Sequence, residues 1–282
     1  MDKLSWQKIM EHLETLPSAQ KNIASYMLSN KEKSIFMTAA ELGYNAGSSE
    51  ASAIRLASTL GYANFPDFIK SLQLEAQSQL STIGRLQLHK LLPDEGGYVA
   101  GVIARDLELA KYYLKANGDN DKALKLLAAE ICEAGAVYLI GLRSTRCLVQ
   151  YMEYYLSWFF PKIFIPSYEN LGNYLTAAPK NSLTLGISFP RYTRQTVECI
   201  AFAKSNGFKT AAITDSMNSP LAREADMAVI APCSHIAHID SLLIPIGLIN
   251  ALLIQVAEYM GPTALRRLGE LEEIWEKRDI YC

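Results

Sequence analysis

The sequence lacks the short motifs that most enzymes and metal sites require. Its five cysteines form no C-x-x-C pair, and none of its four histidines belongs to an H-E-x-x-H motif. A G-x-S-x-G elbow and the nucleotide motifs G-x-G-x-x-G and G-x-x-x-x-G-K-[ST] are also missing. His235 and His238 stand three residues apart without a third ligand nearby, which favours hydrogen bonding over metal binding. We therefore predict no metal, no cofactor and no catalytic residue.

Strong charge and a long uninterrupted apolar run are lacking as well. The net charge is −2 and only 20% of the 282 residues are charged, so no overall positive field attracts nucleic acid or an anionic membrane. One apolar stretch, residues 241–257, is shorter than the roughly 20 residues of a membrane span and contains Pro245, Asn250 and Gln255. It favours a helix buried in a core or a subunit interface. We expect a soluble, cytoplasmic protein with free thiols and no membrane partner.

The first eighty residues predict an all-α domain. Thr38 and Glu41 have the spacing of a capping box, and a second helix with a serine cap follows a turn at Gly47. Two short helices joined by such a turn are typical of a helix-turn-helix. We assign residues 1–80 to this domain and residues 81–119 to a linker and a connecting helix.

Residues 120–282 predict an α/β domain. Apolar, strand-like runs alternate with helical patterns, which is typical of a parallel sheet covered on both faces. We therefore predict a doubly wound domain with a five-stranded parallel sheet. The predicted strands are AVYLIG (136–141), KIFIP (162–166), SLTLGIS (182–188), KTAAIT (209–214) and MAVIAP (227–232).

Two polar segments follow strands of this predicted sheet, GLRSTR (141–146) and SFPRYTRQT (188–196). Ligands of open parallel sheets bind beyond the carboxyl ends of the strands, where helices begin. Serine and threonine hydroxyls, helix N–H groups and an arginine together suit a phosphate or a carboxylate. Because serine and threonine are also common helix caps, a purely structural role stays open.

The chain resembles the RpiR-type transcriptional regulators, which join a helix-turn-helix to a sugar isomerase (SIS) domain. The likeness rests on AELGYNAGSSEASAIRLASTLGYANFPDF in the first half and on VYLIGLRSTR in the second. It continues through GISFPRYTRQTVECIAFAKSNGFKTAAITDSMNSPLAREADMAVIAP and DSLLIPIGLINALL. The resemblance implies a cytoplasmic homodimer or homotetramer that binds operator DNA and senses a small anionic sugar or phosphosugar effector.

The third-strand loop departs from the pattern of that family. Phosphosugar-binding SIS domains usually carry Ser-x-Ser-Gly-x-Thr there. Ser188 and Thr193 match, whereas Pro190 replaces the second serine and Arg191 the glycine. Arg143 likewise stands where a second glycine is common in the first loop. An added guanidinium still favours an anion. The predicted ligand-binding residues are Ser144, Thr145, Ser188, Arg191 and Thr193.

The predicted recognition helix, residues 49–60, carries one cation, Arg55. Residues 1–80 hold seven basic and eight acidic side chains, a net charge near −1 that suits phosphate neutralisation poorly. We predict that Ser48, Ser49, Ser52 and Arg55 contact DNA. We expect a ligand-controlled regulator of carbohydrate metabolism that is not an enzyme. The alternatives are a sugar-phosphate isomerase built on the SIS domain and a head that binds protein.

Overall fold

A computed structural model describes residues 5–76, 80–91, 97–116 and 120–282. The chain divides into two compact units. The first comprises residues up to 95 together with 235–239, and the second comprises residues 96–234 and 240–282.

The first unit is built from helices over its described residues up to 91, as the sequence predicts for residues 1–80. Its helices are α1 (Ser5–His12), α2 (Ser18–Ser29), α3 (Lys31–Ser34), α4 (Ala39–Asn45), α5 (Glu50–Thr59), α6 (Phe65–Ala76) and α7 (Thr82–Leu91), with a 3₁₀ turn at Leu13–Thr15. Helix α7 lies in the segment that we assigned to the linker, where the sequence pattern is weak.

Helices α4 and α5 form the helix-turn-helix. Thr38 caps α4, and its backbone N–H bonds to Glu41 in return, which completes the predicted capping box. Gly47 has a φ of +62°, a conformation that glycine adopts without steric cost. At Gly43 a Cβ atom would lie 2.6 Å from the carbonyl carbon of Ser49, so only glycine permits this approach of the two helices. Leu42 and Leu56 are fully buried between α4, α5 and their neighbours.

The second unit contains the predicted five-stranded parallel sheet, in the order β2-β1-β3-β4-β5. Its strands are β1 (Val137–Ile140), β2 (Ile163–Phe164), β3 (Leu183–Ile187), β4 (Lys209–Thr214) and β5 (Met227–Ile230). A hairpin of β6 (Ser234–Ile236) and β7 (Ile239–Ser241) follows β5 in the sequence, and its residues 235–239 group with the first unit. Its helices are α8 (Tyr98–Ala116), α9 (Asn120–Glu133), α10 (Arg146–Leu156), α11 (Leu171–Thr176), α12 (Arg194–Ser205), α13 (Pro220–Glu224), α14 (Leu243–Met260) and α15 (Pro262–Lys277).

The sheet is covered on both faces, which explains why its strands are apolar throughout. Helices α9, α10 and α14 enclose the larger core, in which Leu139, Leu185 and Ile213 are fully or almost fully buried. Helices α11, α12 and α13 cover the opposite face, against Tyr138 and Ala212. The predicted doubly wound fold is therefore confirmed.

Helix α14 is long and apolar enough to cross a membrane by length and composition alone. One such helix is weak grounds for a span, because core helices of soluble proteins share these properties. Ile249, Leu252 and Val256 are buried against α9 and α10. Its start differs from the predicted helical pattern over 238–259, because the β7 strand precedes it.

Candidate functional site

The order of the strands places the two predicted ligand loops side by side. Chain connections leave β1 on one side toward β2 and cross back to β3 on its other side. The crevice where the order reverses is the usual ligand position of doubly wound sheets. Ile140 at the end of β1 pairs with Gly186 of β3, so residues 141–146 and 188–193 leave the sheet at the same edge.

Thr145 joins the two loops from within. Its hydroxyl is buried and lies 3.0 Å from the carbonyl oxygen of Ile187, the last residue of β3, and 2.9 Å from that of Leu142. Gly141 leaves little room for a larger residue here, because an added Cβ atom would lie 2.7 Å from the Val149 side chain and 3.0 Å from the Thr145 carbonyl oxygen. Thr145 thus fixes the position of the first loop and does not present its hydroxyl to solvent.

Ser188 and Thr193 lie in the same loop and contact each other. The Ser188 hydroxyl oxygen accepts a 3.2 Å bond from the Thr193 backbone N–H, and the side chain of Ser188 is buried. Thr193 is the N-cap residue of α12. Helix α12 approaches β3 closely, since a Cβ atom at Gly186 would lie 2.8 Å from Ile200. The start of α12 is therefore held firmly at the crevice.

The arginines of both loops adopt an unusual backbone conformation. Arg143 has a φ of +59° and Arg191 a φ of +68°, both in the left-handed region that glycine favours. Both side chains are exposed. Both positions therefore have the left-handed backbone conformation that glycine favours, and each also carries a guanidinium group.

Two aspartates that sequence reasoning missed bond to these loops. The Tyr192 hydroxyl donates to Asp215, beyond β4, at 2.8 Å. Burial, followed by this bond and the charge of Asp215, raises the pKa of Tyr192, so its hydroxyl stays protonated. Ser144 donates to Asp240 at 3.2 Å. The Tyr192–Asp215 bond connects the loop after β3 to the loop after β4. Asp215 directly follows the last residue of β4, and this position could have identified it from the sequence.

All three predicted DNA-binding serines have hydrogen-bond partners within the first unit. The Ser49 hydroxyl caps α5 by accepting a bond from the Ser52 N–H, and the buried Ser52 hydroxyl lies 2.9 Å from it. Ser48 donates to the Ala19 carbonyl oxygen at 3.0 Å. Arg55 is exposed and donates to Ser52 at 3.2 Å. These bonds fix the start of α5 and hold the side chain of Arg55, the one cation of this helix.

Two large exposed side chains of the helix-turn-helix were missed by the sequence prediction. Tyr44 near the end of α4 is 85% exposed, and Ile54 on α5 is 44% exposed. Ile54 lies off the buried stripe formed by Ala53, Leu56 and Ala57. Helical periodicity alone could therefore have identified Ile54 as an outward-facing apolar residue.

Metal binding finds no support over the described ranges 5–76, 80–91, 97–116 and 120–282. They hold no cluster of three or more histidine, cysteine, aspartate or glutamate side chains suited to a metal ion.

The fold defines a two-part protein, a helix-turn-helix joined to an α/β domain in which two polar loops leave the same edge of the sheet. The helix-turn-helix model of the rpiR family matches residues 4–79, and the SIS domain model matches residues 130–255. The chain belongs to the RpiR family of helix-turn-helix transcriptional regulators with an SIS domain.

Similar proteins agree with this assignment. An uncharacterized HTH-type transcriptional regulator of Caldanaerobacter subterraneus is 25% identical over 96% of this chain and 97% of its own length. The regulator YbbH of Bacillus subtilis is 25% identical over 80% of this chain and 79% of its own length.

Two solved structures are also similar. The sugar isomerase domain of an RpiR transcription factor from Sphaerobacter thermophilus has a TM-score of 0.56 and 26% identity, over 62% of this chain and 97% of that one. The Vibrio vulnificus NanR protein complexed with ManNAc-6P has a TM-score of 0.55 over 96% of this chain and 98% of that one. Its identity of 17% means that this second likeness shows the fold alone.

Proposed function

We propose that this transcriptional regulator binds operator DNA through α4 and α5 and controls carbohydrate metabolism in response to a phosphosugar or a related anionic sugar metabolite. The observation that carries the proposal is the crevice between β1 and β3, where Ser188, Thr193 and Arg191 meet the N-terminus of α12. The phosphosugar bound by the similarly folded NanR protein supports the same ligand class.

The effector site is proposed from the chemistry of the two loops. The N-termini of α10 and α12 present backbone N–H groups that favour negative charge. Arg191 adds a planar guanidinium that can bind a phosphate or carboxylate through two parallel hydrogen bonds. Ser144 and Ser188 supply hydroxyls, and Thr145 holds the loops in register. A sensor needs no more than this, whereas an isomerase also needs a base beside the reacting carbon.

The DNA surface is proposed from the exposed side of α5. Arg55 is its one cation, and an arginine in the major groove can bond to a guanine through two hydrogen bonds. Ile54 offers an apolar contact of the kind that thymine methyl groups make. The serines at 48, 49 and 52 position α5 on its own domain; Ser48 and Ser49 keep hydrogen-bonding capacity for phosphates, whereas Ser52 is buried.

A thermal-shift screen of phosphosugars, sugar acids and amino sugars against the intact chain tests the effector proposal. A ligand of the native state raises the melting temperature by mass action. For the ligand so found, Ser188→Ala and Arg191→Ala should each weaken binding at least about tenfold, or about 1.4 kcal/mol. Arg191→Lys should restore binding only in part, because it exchanges a fork for a point charge. Wild-type affinity in both alanine variants would place the ligand elsewhere.

A further inference from the structure

The two crevice loops carry the same four-residue pattern, Arg-x-Thr-Arg, at residues 143–146 and 191–194. In each loop the first arginine has a positive φ, of 59° and 68° respectively. In each loop the threonine is the N-cap residue of the following helix, and the second arginine is the first residue of that helix. The two loops therefore share the positive φ of the first arginine and the cap position of the threonine, at the ends of two neighbouring strands, although Thr145 is helical in conformation and Thr193 is extended.

The left-handed conformation of the leading arginines has a cost. A side chain with a Cβ atom is disfavoured there, and glycine would relieve the strain. Backbone outliers of this kind cluster at ligand-binding sites, where the surrounding structure compensates for them. Two arginines adopt this conformation at one crevice. We attribute their presence there, in place of glycine, to a use of their guanidinium groups.

The two patterns reach the crevice from opposite faces of the sheet. Helix α10 belongs to the face shared with α9 and α14, whereas α12 packs with α11 and α13 on the other face. All four arginine side chains of the loops are exposed, and neither loop contains a lysine. Two carboxylates also bond to these loops, Asp215 to Tyr192 and Asp240 to Ser144.

A buried polar group beside the second pattern lacks a protein partner. The hydroxyl of Thr196, in the first turn of α12, is fully buried and has no hydrogen-bond partner among the described residues. Buried hydroxyls are almost always satisfied by a protein group or an ordered water, so Thr196 is an unmet hydrogen-bonding group next to this loop.

We propose that the effector carries two separate anionic groups, one bound by the 143–146 loop and the other by the 191–194 loop. The ligand class is then a small sugar derivative with acid groups at both ends, either a phosphorylated sugar acid or a sugar bisphosphate. This inference rests on the proposed function of the crevice. It explains why a second arginine loop stands where one phosphate group would need only one.

The test uses the intact chain and four probes in isothermal titration calorimetry: 6-phosphogluconate, fructose 1,6-bisphosphate, glucose 6-phosphate and gluconate. At least one of the two probes with two anionic groups should bind at least about tenfold tighter than both probes with one anionic group. Whichever of the two prevails identifies the second group as a carboxylate or a phosphate.

Two single variants assign the groups to the loops. Arg143→Gln and Arg191→Gln should each remove the advantage of the probe with two anionic groups, and should weaken different probes among those with one. Arg266→Gln, on α15 and paired with Glu270, is the matched control and should bind every probe as the wild type does. The melting temperature without ligand should be unchanged in all three variants, which shows that the chain is folded.

Two results would overturn the inference in distinguishable ways. If glucose 6-phosphate binds as tightly as the probes with two anionic groups and Arg143→Gln has no effect, the inference of a second anionic group is wrong while phosphosugar sensing stands. If none of the four probes binds the folded wild-type chain, both the inference and the proposed effector class are wrong.

Discussion

Replacement of Gly43 by alanine tests how closely α4 and α5 approach each other, separately from the stability of the rest of the chain. The new Cβ atom would lie 2.6 Å from the Ser49 carbonyl carbon and 2.8 Å from the Glu50 nitrogen. Ordinary contacts begin at 3.4 Å, so the start of α5 must move by about 0.8 Å. Backbone atoms cannot rotate away as a flexible side chain does.

The magnitude follows from two opposing effects. Overpacking of this kind costs about 1–3 kcal/mol, whereas alanine gains about 1 kcal/mol over glycine inside a helix. We expect a net loss of stability of about 0–2 kcal/mol in the first unit. We also expect at least about tenfold weaker operator binding, because the displaced helix α5 carries Arg55.

Hydrogen exchange of the intact chain measures the two units separately. Amides of residues 39–60 should exchange faster in Gly43→Ala, whereas those of 243–260 should not change. Gly269→Ala is the matched control, because a Cβ atom there meets nothing within 4 Å and should stabilise α15 by about 1 kcal/mol. Wild-type exchange and operator affinity in Gly43→Ala would refute the close approach of α4 and α5.

Three further predictions concern other parts of the chain. Arg55→Ala should weaken operator binding by about 1–3 kcal/mol, measured by fluorescence anisotropy at physiological salt, with Lys70→Ala as the control. Equal losses in both variants would mean that Arg55 contributes only non-specific positive charge. Ile254 on α14 is 62% exposed, and we propose that the apolar face around it is a subunit interface. Ile254→Glu should therefore reduce the molar mass measured by light scattering, whereas the control Ile83→Glu on α7 should not. A wild-type chain that is monomeric would contradict this. The pKa of Asp226 is lowered although burial opposes this, because the aspartate bonds to Lys204 and Thr210, so its stabilisation is present above about pH 4 and is lost as the pH falls through the lowered pKa. Asp226→Asn should therefore lower the free energy of unfolding at pH 7 by about 1 kcal/mol, for a side chain that is 44% exposed, and by less as the pH falls below 4. Denaturant unfolding measures both losses, and a loss of equal size at every pH would show that its charge is irrelevant.

The strands were predictable because each is a short apolar run bounded by polar residues. Strand β4 matches the predicted residues 209–214 from end to end. Helices α11 and α13 were not predicted, since segments of 6 and 5 residues are too short to show a helical period. The hairpin before α14 was missed because its apolar residues continue the pattern of the helix.

The candidate site was predictable as a position and not as a set of contacts. Residues that follow strands of a parallel sheet share one edge, which brought Ser188 and Thr193 to the crevice. The bond from Thr145 to Ile187 and that from Ser144 to Asp240 join residues 42 and 96 positions apart, and no local pattern encodes such pairs. The positive φ of Arg191 was also hidden, because the sequence there shows an arginine and not the glycine that this conformation favours.

The most direct test of the account measures how an effector changes operator binding. An operator duplex selected from random DNA by the intact chain would be titrated by fluorescence anisotropy, with and without a saturating effector from the thermal-shift screen. The account predicts at least about a fivefold change in DNA affinity with the wild-type chain and none with Arg191→Ala, since effector and operator are coupled through the occupied crevice. Selection of no specific sequence, or an operator affinity that saturating effector leaves unchanged, would contradict it.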